Sequence, residues 1–531
     1  MKNKLILLLA IVLAITFNSC DQDLAEINEN PNNPEVVPTS NIFASATKQF
    51  TDFSRDAFNE GRLTLPWVQY WGQTAYADED RYLYRESSAE SIYRNTYLVA
   101  TDFKAILDQN TNEETRGLAA AYGDNDNQIA ASRIMLSYMF YELTNFFGDV
   151  PYYSYGSDNA SFEGLNLDLT ATPVFASQED IYIDILKELR ESADMINEGS
   201  VVFNSGDNIF GGDASKWKKF ANSLILRVAT TIKGVDNATY ESAFDAAIAS
   251  GVMTSNDDTA AQSYDTADAN SSPLWGSFID RTDFAVAAPF IDLLKGERGN
   301  FNPDPRLFKM AVPISEGIEE VKKGTAVVTE DYDDYIGIPY AFRNTNFLRN
   351  IAYSYPSSNV LKPDYKEVLM EYAEVEFLIS ERNGWSQTNY ENGVTASMEK
   401  WGVDATDIST FVSSLPPANQ ANVLNQKYIA LYMQAHQAYT EYRRTGFPNT
   451  LIQANEVVTL PQIQIDEQNT DEPLSSYTFE PGPVDPSVDD LPFRLRYPQV
   501  LQTLNGENRN TAAQGLSNGD LITSKLFWDV N

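Results

Sequence analysis

Two stretches of the chain combine aromatic rings with hydrogen-bonding side chains, a mixture suited to a ligand that has both apolar faces and polar edges. The first covers residues 67–84 and reads WVQYWGQTAYADEDRYLY. An aromatic face can stack on the ligand while nearby amide, guanidinium and hydroxyl groups bind its edges. Trp67 and Tyr70 are instead expected to pack where helices meet. The candidate ligand-binding residues of this stretch are Trp71, Gln73, Tyr76, Arg81 and Tyr82.

The second stretch covers residues 270–284 and reads NSSPLWGSFIDRTDF. Its tryptophan lies between a proline and a glycine in a polar segment, which favours a loop position for its ring. The candidate residues here are Trp275, Arg281 and Asp283. Tyr353 and Tyr355 form a third, weaker candidate. We expect alanine at Trp71 and Trp275 to weaken binding and to leave the fold intact.

Most residues used in metal and thiol chemistry are scarce. The chain has one cysteine and one histidine, which excludes an internal disulfide framework and a thiolate zinc cluster. His436 is expected to be a partnered helix residue. Residues 124–127 (DNDN) begin like a calcium loop, but Ile129 and Met135 occupy the positions of the required Gly and Glu. This segment is therefore expected to cap a helix, and no metal or cofactor is predicted.

The charge balance excludes one class of partner. The chain has 38 Lys and Arg against 75 Asp and Glu, a net charge of −37. Nucleic acid is not an expected partner, because phosphate binding needs a basic surface.

A glycoside hydrolase needs only two carboxylates, so this acidic composition leaves such an enzyme open as an alternative. No carboxylate pair is marked by its position, and no catalytic residue is predicted.

The amino terminus predicts export and lipidation. Two lysines precede the apolar run Leu5–Phe17, which is too short to span a bilayer and is typical of a signal peptide covering residues 1–19. Cys20, the only cysteine, lies where a bacterial lipoprotein is acylated, although a cysteine beside an ordinary cleavage site is the alternative. Residues 20–40, which contain NENPNNPEVVP, are predicted to be a lipidated flexible tether.

The remaining chain is predicted to be mostly α. Apolar residues recur at helical spacing in several segments, whose wide apolar faces indicate helices packed on two sides, as in stacked helical hairpins. Long segments rich in Asp, Asn, Ser, Gly and Pro separate them and are expected to be loops that face a ligand. Short strands are expected at 327–329 and 462–465. The predicted helices cover residues 41–59, 91–107, 129–147, 177–196, 217–232, 363–383 and 417–442.

Several segments, taken in chain order, form a pattern that extends over nearly the whole chain. They are Cys20 with LAEINENP at 24–31, FFGDVPY at 146–152, DPRL at 304–307, EYAEVEFL at 371–378, YTEYRRTGF at 439–447, FRLRYP at 493–498 and FWD at 527–529. Together these segments resemble the SusD/RagB-like family of nutrient-binding lipoproteins. The NPNNP tether and the segment WVQYW at 67–71 are most similar to the second SusD-like subfamily.

The resemblance implies a fold, a location and a partner. The fold would be a tetratricopeptide-like scaffold of helical hairpins with a loop-rich ligand-binding face, formed by residues 41–531 as one domain. The protein would be anchored by lipid to the outer membrane, facing the cell exterior, and would pass its ligand to a TonB-dependent transporter. Most such proteins bind glycans, so the aromatic stretches would be sugar platforms; peptide capture is the alternative. The resemblance argues against an enzyme.

Overall fold

The computed structural model describes residues 36–166, 168–343, 345, 348–482, 488 and 490–530. The predicted signal peptide, Cys20 and most of the predicted tether lie outside these residues. The first helix begins at Thr39, slightly before the predicted end of the tether, and the Pro38 carbonyl accepts hydrogen bonds from the backbone of Asn41 and Ile42. The division into leader, tether and one domain stays a prediction.

The longer helices form the frame of the molecule. We number those of nine residues or more in the described part of the chain. They are α1 (Thr39–Ser54), α2 (Glu86–Thr111), α3 (Asn125–Phe147), α4 (Gln178–Met195), α5 (Ala214–Thr231), α6 (Asn237–Ser250), α7 (Tyr372–Arg382), α8 (Gln387–Lys400), α9 (Ala405–Ser413), α10 (Gln420–Ala430), α11 (Ala435–Thr445) and α12 (Gly506–Gly515).

Shorter helical segments interrupt the loops between them. Glu60–Thr64 is a π-helical turn. The short α-helices are Leu65–Trp67, Arg116–Ala119, Pro273–Gly276, Ala288–Leu294, Leu307–Met310, Ile318–Lys322, Gln462–Asp466 and Leu501–Leu504. Single 3-10 turns are formed by Glu79–Arg81, Ala120–Tyr122, Asn256–Asp258, Asp268–Asn270 and Tyr332–Asp334.

Consecutive helices pack on one another. Helices α1 to α6 form one group, in which each helix contacts its neighbour in the series. Helices α7, α8 and α10 form a second group, and α7 joins it to the first through α5. A hydrophobic core runs through both groups and contains residues from Phe43 to Trp528. This stacking confirms the mostly α fold with a scaffold of packed helices. No helix of the described residues is long and apolar enough to cross a membrane.

Local capping chemistry sets several helix ends. The Ser177 side chain accepts a hydrogen bond from the Asp180 amide at the start of α4, which satisfies a backbone donor that the helix leaves free. Asp124 caps α3 in the same way, as expected from the residues at 124–127. Helix α3 ends at Gly148, whose φ of 86° few residues with a side chain adopt.

In the described part of the chain, three small antiparallel sheets connect separate loops. Strand β1 (Trp71–Gln73) pairs with β3 (Phe284–Val286), with Trp71 opposite Val286. Strand β2 (Ala260–Gln262) pairs with β4 (Glu367–Met370), and β5 (Val457–Thr459) pairs with β6 (Ser476–Thr478).

Four predictions of local structure were wrong. The predicted helix 363–383 begins with β4, because this segment pairs with β2 more than a hundred residues earlier. The predicted helix 417–442 divides into α10 and α11 at Met433, which has a φ of 69°. Residues 327–329 form no strand. Residues 462–465 are helical, and Gln464 is buried there with its amide donating to the Gly337 carbonyl at 2.9 Å.

Several segments that carry the family resemblance hold buried ion pairs. Arg306 of the DPRL segment is fully buried and pairs with Asp304. Glu374 of EYAEVEFL accepts two hydrogen bonds from Arg227 of α5, at 2.8 and 2.6 Å. Arg494 of FRLRYP pairs with Asp520 at 2.6 Å. The Arg306–Asp304 pair lies within one segment, whereas the other two pairs join positions that are distant in the chain. Loss of one partner from such a pair would leave an unpaired buried charge, which is costly.

Candidate ligand-binding surface

The pairing of β1 with β3 brings the two aromatic stretches of the sequence together. Immediately after β1, the Thr74 amide donates to the Asp283 carbonyl at 2.9 Å, and the Thr74 hydroxyl donates to the Thr282 carbonyl at 2.7 Å. The loop that follows β1 and the loop that precedes β3 therefore form one continuous surface.

Trp71 lies in the core beneath this surface, so the expectation that it forms an exposed platform is wrong. Its side chain has 0% exposure, and its ring contacts those of Phe278 and Phe284 at 5.7 and 5.8 Å. Its indole N–H donates to the Tyr432 hydroxyl at 2.9 Å. Trp67 and Tyr70 are also fully buried, which confirms the packing role predicted for them.

Gln73 and Tyr82 are also buried, and they hold the loop rather than present side chains on its surface. The Gln73 amide donates to Glu79 Oε2 at 2.9 Å, and its backbone N–H donates to Asp80 Oδ2 at 2.9 Å. The Tyr82 ring packs edge-on against Phe479, with centroids 5.5 Å apart. The weaker candidates Tyr353 and Tyr355 are buried against each other.

Tyr76 is the exposed aromatic residue of the loop. Its side chain is 65% exposed, and its backbone has a φ of 61°, in the left-handed region that a bulky residue rarely adopts. Such a conformation costs roughly 1–3 kcal/mol, and residues of this kind cluster at functional sites. The ring lines a cavity of about 380 Å³ together with Ala75, Ala77, Asp78, Arg81 and Arg343.

Two guanidinium groups supply the polar edge of this cavity. Burial lowers the pKa of Arg81 from its ordinary value, and the nearby charge of Arg343 lowers it further. Arg343 is held by Glu480 at 2.8 Å, whereas the buried Arg81 Nε has no hydrogen-bond partner among the described residues. Both arginines line the cavity and carry N–H donors of the kind that a ligand oxygen accepts.

A buried carboxyl group lies next to the cavity. Burial raises the pKa of Asp80 to about 7, and the neighbouring Glu79 acts in the same direction. Asp80 fixes the loop because its Oδ2 accepts a hydrogen bond from the Gln73 backbone N–H. At the other end of the Tyr76 loop, the Gly482 backbone N–H donates to the Arg81 carbonyl at 2.7 Å. Both ends of the Tyr76 loop are therefore anchored.

The second stretch contributes charged groups to the same surface. Asp283 accepts from Arg62 at 2.8 Å and pairs with the exposed Arg281 at 3.0 Å. Arg62 also lies over the Phe58 ring, which is 51% exposed. Trp275 lies on the short helix Pro273–Gly276 and is partly exposed, so it keeps an accessible part of its ring.

Sequence reasoning missed Arg343. It lies within the long irregular segment 296–363, where no periodicity or motif marks one residue above another.

The described residues contain no group of three or more metal-ligating side chains. His436 is buried in α11, and its Nδ1 lies 2.9 Å from Arg55 Nη1, which confirms the expected partnered helix residue.

Several solved structures share the fold of this chain. A chitin-binding protein is 24% identical, with a TM-score of 0.69 over 92% of this chain and 100% of that one. A chitin-binding SusD homologue from Flavobacterium johnsoniae is 20% identical, with a TM-score of 0.66 over 92% and 99%. A SusD homologue from Parabacteroides distasonis is 18% identical, with a TM-score of 0.71 over 93% and 98%.

No curated protein sequence matches the chain. A family profile matches residues 31–465, which is most of the chain, and its description reads "Starch-binding associating with outer membrane". This match agrees with the stacked helices and with the solved structures of the same fold. The chain therefore belongs to the SusD-like family, in the subfamily designated SusD-like_2.

Proposed function

We propose that the protein binds an oligosaccharide or polysaccharide nutrient at the cell surface, through the cavity lined by Tyr76, Arg81 and Arg343. The observation that carries the proposal is the exposed Tyr76 ring, which an anchored loop holds beside two guanidinium groups. Sugars have apolar C–H faces that stack on aromatic rings and hydroxyl edges that accept hydrogen bonds from arginine. The family description and the chitin-binding relatives support a glycan as the ligand.

Trp275, Arg281 and Asp283 extend the proposed surface beyond the cavity. They reach it through the β1–β3 pairing, since Asp283 accepts the Thr74 amide next to the Tyr76 loop. A polymer longer than the cavity would contact these side chains as well. Chain length is therefore expected to increase affinity.

A glycan array followed by calorimetry tests the proposal. We expect Tyr76→Ala to weaken glycan binding by about two- to tenfold, because aromatic contacts of this kind contribute roughly 0.5–1.5 kcal/mol. Tyr122→Ala is the matched control, because this partly exposed tyrosine lies on the helical scaffold and does not line the cavity. Equal affinity of the two variants would refute the assignment of the site.

The proposal includes lipid anchoring at Cys20 and delivery to a TonB-dependent outer-membrane transporter. The outer-membrane association in the family description supports it. Intact-mass analysis of the exported protein should show loss of residues 1–19 and addition of acyl chains. Cys20→Ser should release the protein from the membrane. Co-purification with a transporter from native membranes tests the partnership.

We propose that the protein holds its ligand without cleaving it. Hydrolysis of a glycosidic bond normally uses two carboxyl groups on either side of the bond. Among the described residues that line the Tyr76 cavity, Asp78 is the one carboxylate. Incubation of purified protein with the bound polysaccharide should release no oligosaccharide, and accumulation of product would favour a glycoside hydrolase. Peptides on the same array test peptide capture.

A further inference from the structure

A second cleft, of about 810 Å³, lies between the β2–β4 sheet and the carboxyl-terminal end of α8. It shares no lining residue with the Tyr76 cavity. Ala261 and Val368 from the two strands line it, as do Lys400 and Trp401 at the end of the helix. Its volume lies within the range of about 300–1,000 Å³ that is usual for small-ligand sites.

Lysine side chains are concentrated in this cleft. It is lined by Lys216, Lys362, Lys366 and Lys400, in a chain with a net charge of −37. Lys400 pairs with the buried Glu371. The other three form no ion pair with a described residue.

Lysines without an ion pair are uncommon in the rest of the described chain. Outside the cleft, only two of the described lysines lack an ion pair, and they are Lys309 and Lys323. Asp257 and Asp364 also line the cleft, so its lining contains three lysines without an ion pair and two aspartates. The cleft is thus a locally cationic site on an acidic protein, and it is suited to an anionic ligand.

The cleft also contains groups that suit a sugar ring. Asn256 donates through Nδ2 to the Ala396 carbonyl at 2.9 Å, but its buried Oδ1 has no hydrogen-bond partner among the described residues. This oxygen can accept a hydrogen bond from a ligand hydroxyl, which removes the cost of a buried unpaired acceptor. Phe210 is partly exposed at the same cleft and offers an apolar surface.

We propose that this cleft is a second binding site, for a sugar that carries carboxylate groups, such as the uronate units of an acidic oligosaccharide. The ammonium groups of Lys216, Lys362 and Lys366 bind the carboxylates. Asn256 and Phe210 contact the hydroxyl groups and the ring. The site does not depend on the function proposed for the Tyr76 cavity, because the two share no residue.

Calorimetry with a short oligogalacturonate and its methyl ester of equal length tests the proposal. The ester keeps the ring and removes the charge, so we expect the acid to bind and the ester to bind at least about tenfold more weakly. Added salt should weaken binding of the acid, because exposed charges are screened. The triple variant Lys216→Gln, Lys362→Gln, Lys366→Gln should lose about tenfold in affinity, equal to about 1.4 kcal/mol.

The matched control removes three positive charges from positions outside the cleft. Lys104→Gln, Lys322→Gln, Lys323→Gln changes three lysines that do not line the cleft, and it should bind the acid as the wild type does. Thermal melting of both triple variants checks that they are folded. Equal binding of acid and ester, or equal affinity of the two triple variants, would overturn the proposal.

Two further measurements distinguish a separate sugar site from binding of the acid at the first cavity and from binding of simple anions. If Tyr76→Ala abolishes oligogalacturonate binding while the cleft variant retains it, the acidic sugar binds at the first cavity and the proposal fails. If inorganic phosphate displaces the oligosaccharide at equal concentration, the cleft binds simple anions and the sugar assignment fails. Retained binding of the acid by Tyr76→Ala, together with weak competition by phosphate, supports a separate sugar site.

Discussion

Replacement of Trp71 by alanine tests whether this residue packs in the core or contacts the ligand. The side chain is completely buried, and an aromatic side chain of this size buries up to about 250 Å². At ~25 cal/mol per Å² the transfer contribution is at most about 6 kcal/mol. Measured losses for buried large-to-small changes are about 3–5 kcal/mol. The Tyr432 hydroxyl also loses its indole donor, which adds about 1 kcal/mol.

We therefore expect Trp71→Ala to lower the free energy of unfolding by about 4–6 kcal/mol, measured by urea denaturation followed by circular dichroism. Trp71→Phe keeps a ring against Phe278 and Phe284 and loses the indole N–H, so it should cost only about 1–2 kcal/mol. Tyr76→Ala changes an exposed side chain and should stay within about 0.5 kcal/mol of the wild type. The reasoning is refuted if Trp71→Ala unfolds like the wild type but loses glycan affinity, because Trp71 would then contact the ligand.

Three further predictions concern the frame around the sites. Arg227→Met leaves the Glu374 carboxylate buried without its partner and should cost about 3–5 kcal/mol in urea unfolding; adding Glu374→Leu should recover most of this loss. Burial raises the pKa of Asp80 to about 7 in the folded protein, so the unfolded state loses its proton first and stability should fall as pH rises from about 4 to about 7. Asp80→Asn should flatten this slope, and an unchanged slope would contradict the assignment. Gly148→Ala forces a side chain into a left-handed backbone conformation and should lower stability by about 1–2 kcal/mol, with Gly117→Ala as the control in an open position.

Local chemistry made part of the fold predictable from sequence. The serine at 177 and the aspartate at 124 cap helices because a side-chain oxygen can satisfy a free backbone N–H a few residues later. The glycine at 148 ends a helix because it adopts a positive φ without strain. The mostly α fold class was predicted from apolar residues that recur at helical spacing. Each of these inferences depends on residues within one turn of each other.

Long-range packing decided the features that sequence reasoning missed. Nothing near Met433 predicts a break in the helix, yet Tyr432 packs flat against Phe290, with centroids 4.8 Å apart, and accepts the Trp71 indole N–H. The segment 367–370 is a strand because its partner lies at 260–262.

The binding surface shows the same division. Tyr76 and Arg81 line a cavity, and their part in ligand binding stays a prediction. Trp71 belongs to the core, because three distant aromatic residues surround it. Alternation of aromatic and polar residues indicates a segment that contributes to the candidate surface. It does not tell which rings face outward, since that depends on strands that pair from elsewhere in the chain.

The junction of β1 with the helices has a consequence for the thermodynamics of ligand capture. The Trp71 indole donates to the Tyr432 hydroxyl, and the Asp80 carboxyl accepts the Gln73 backbone N–H, so hydrogen bonds within the protein hold the start of the loop that carries Tyr76. At the proposed site, association of a glycan then removes little backbone freedom from this loop. Repeated capture and release from such a prearranged surface needs no refolding between cycles.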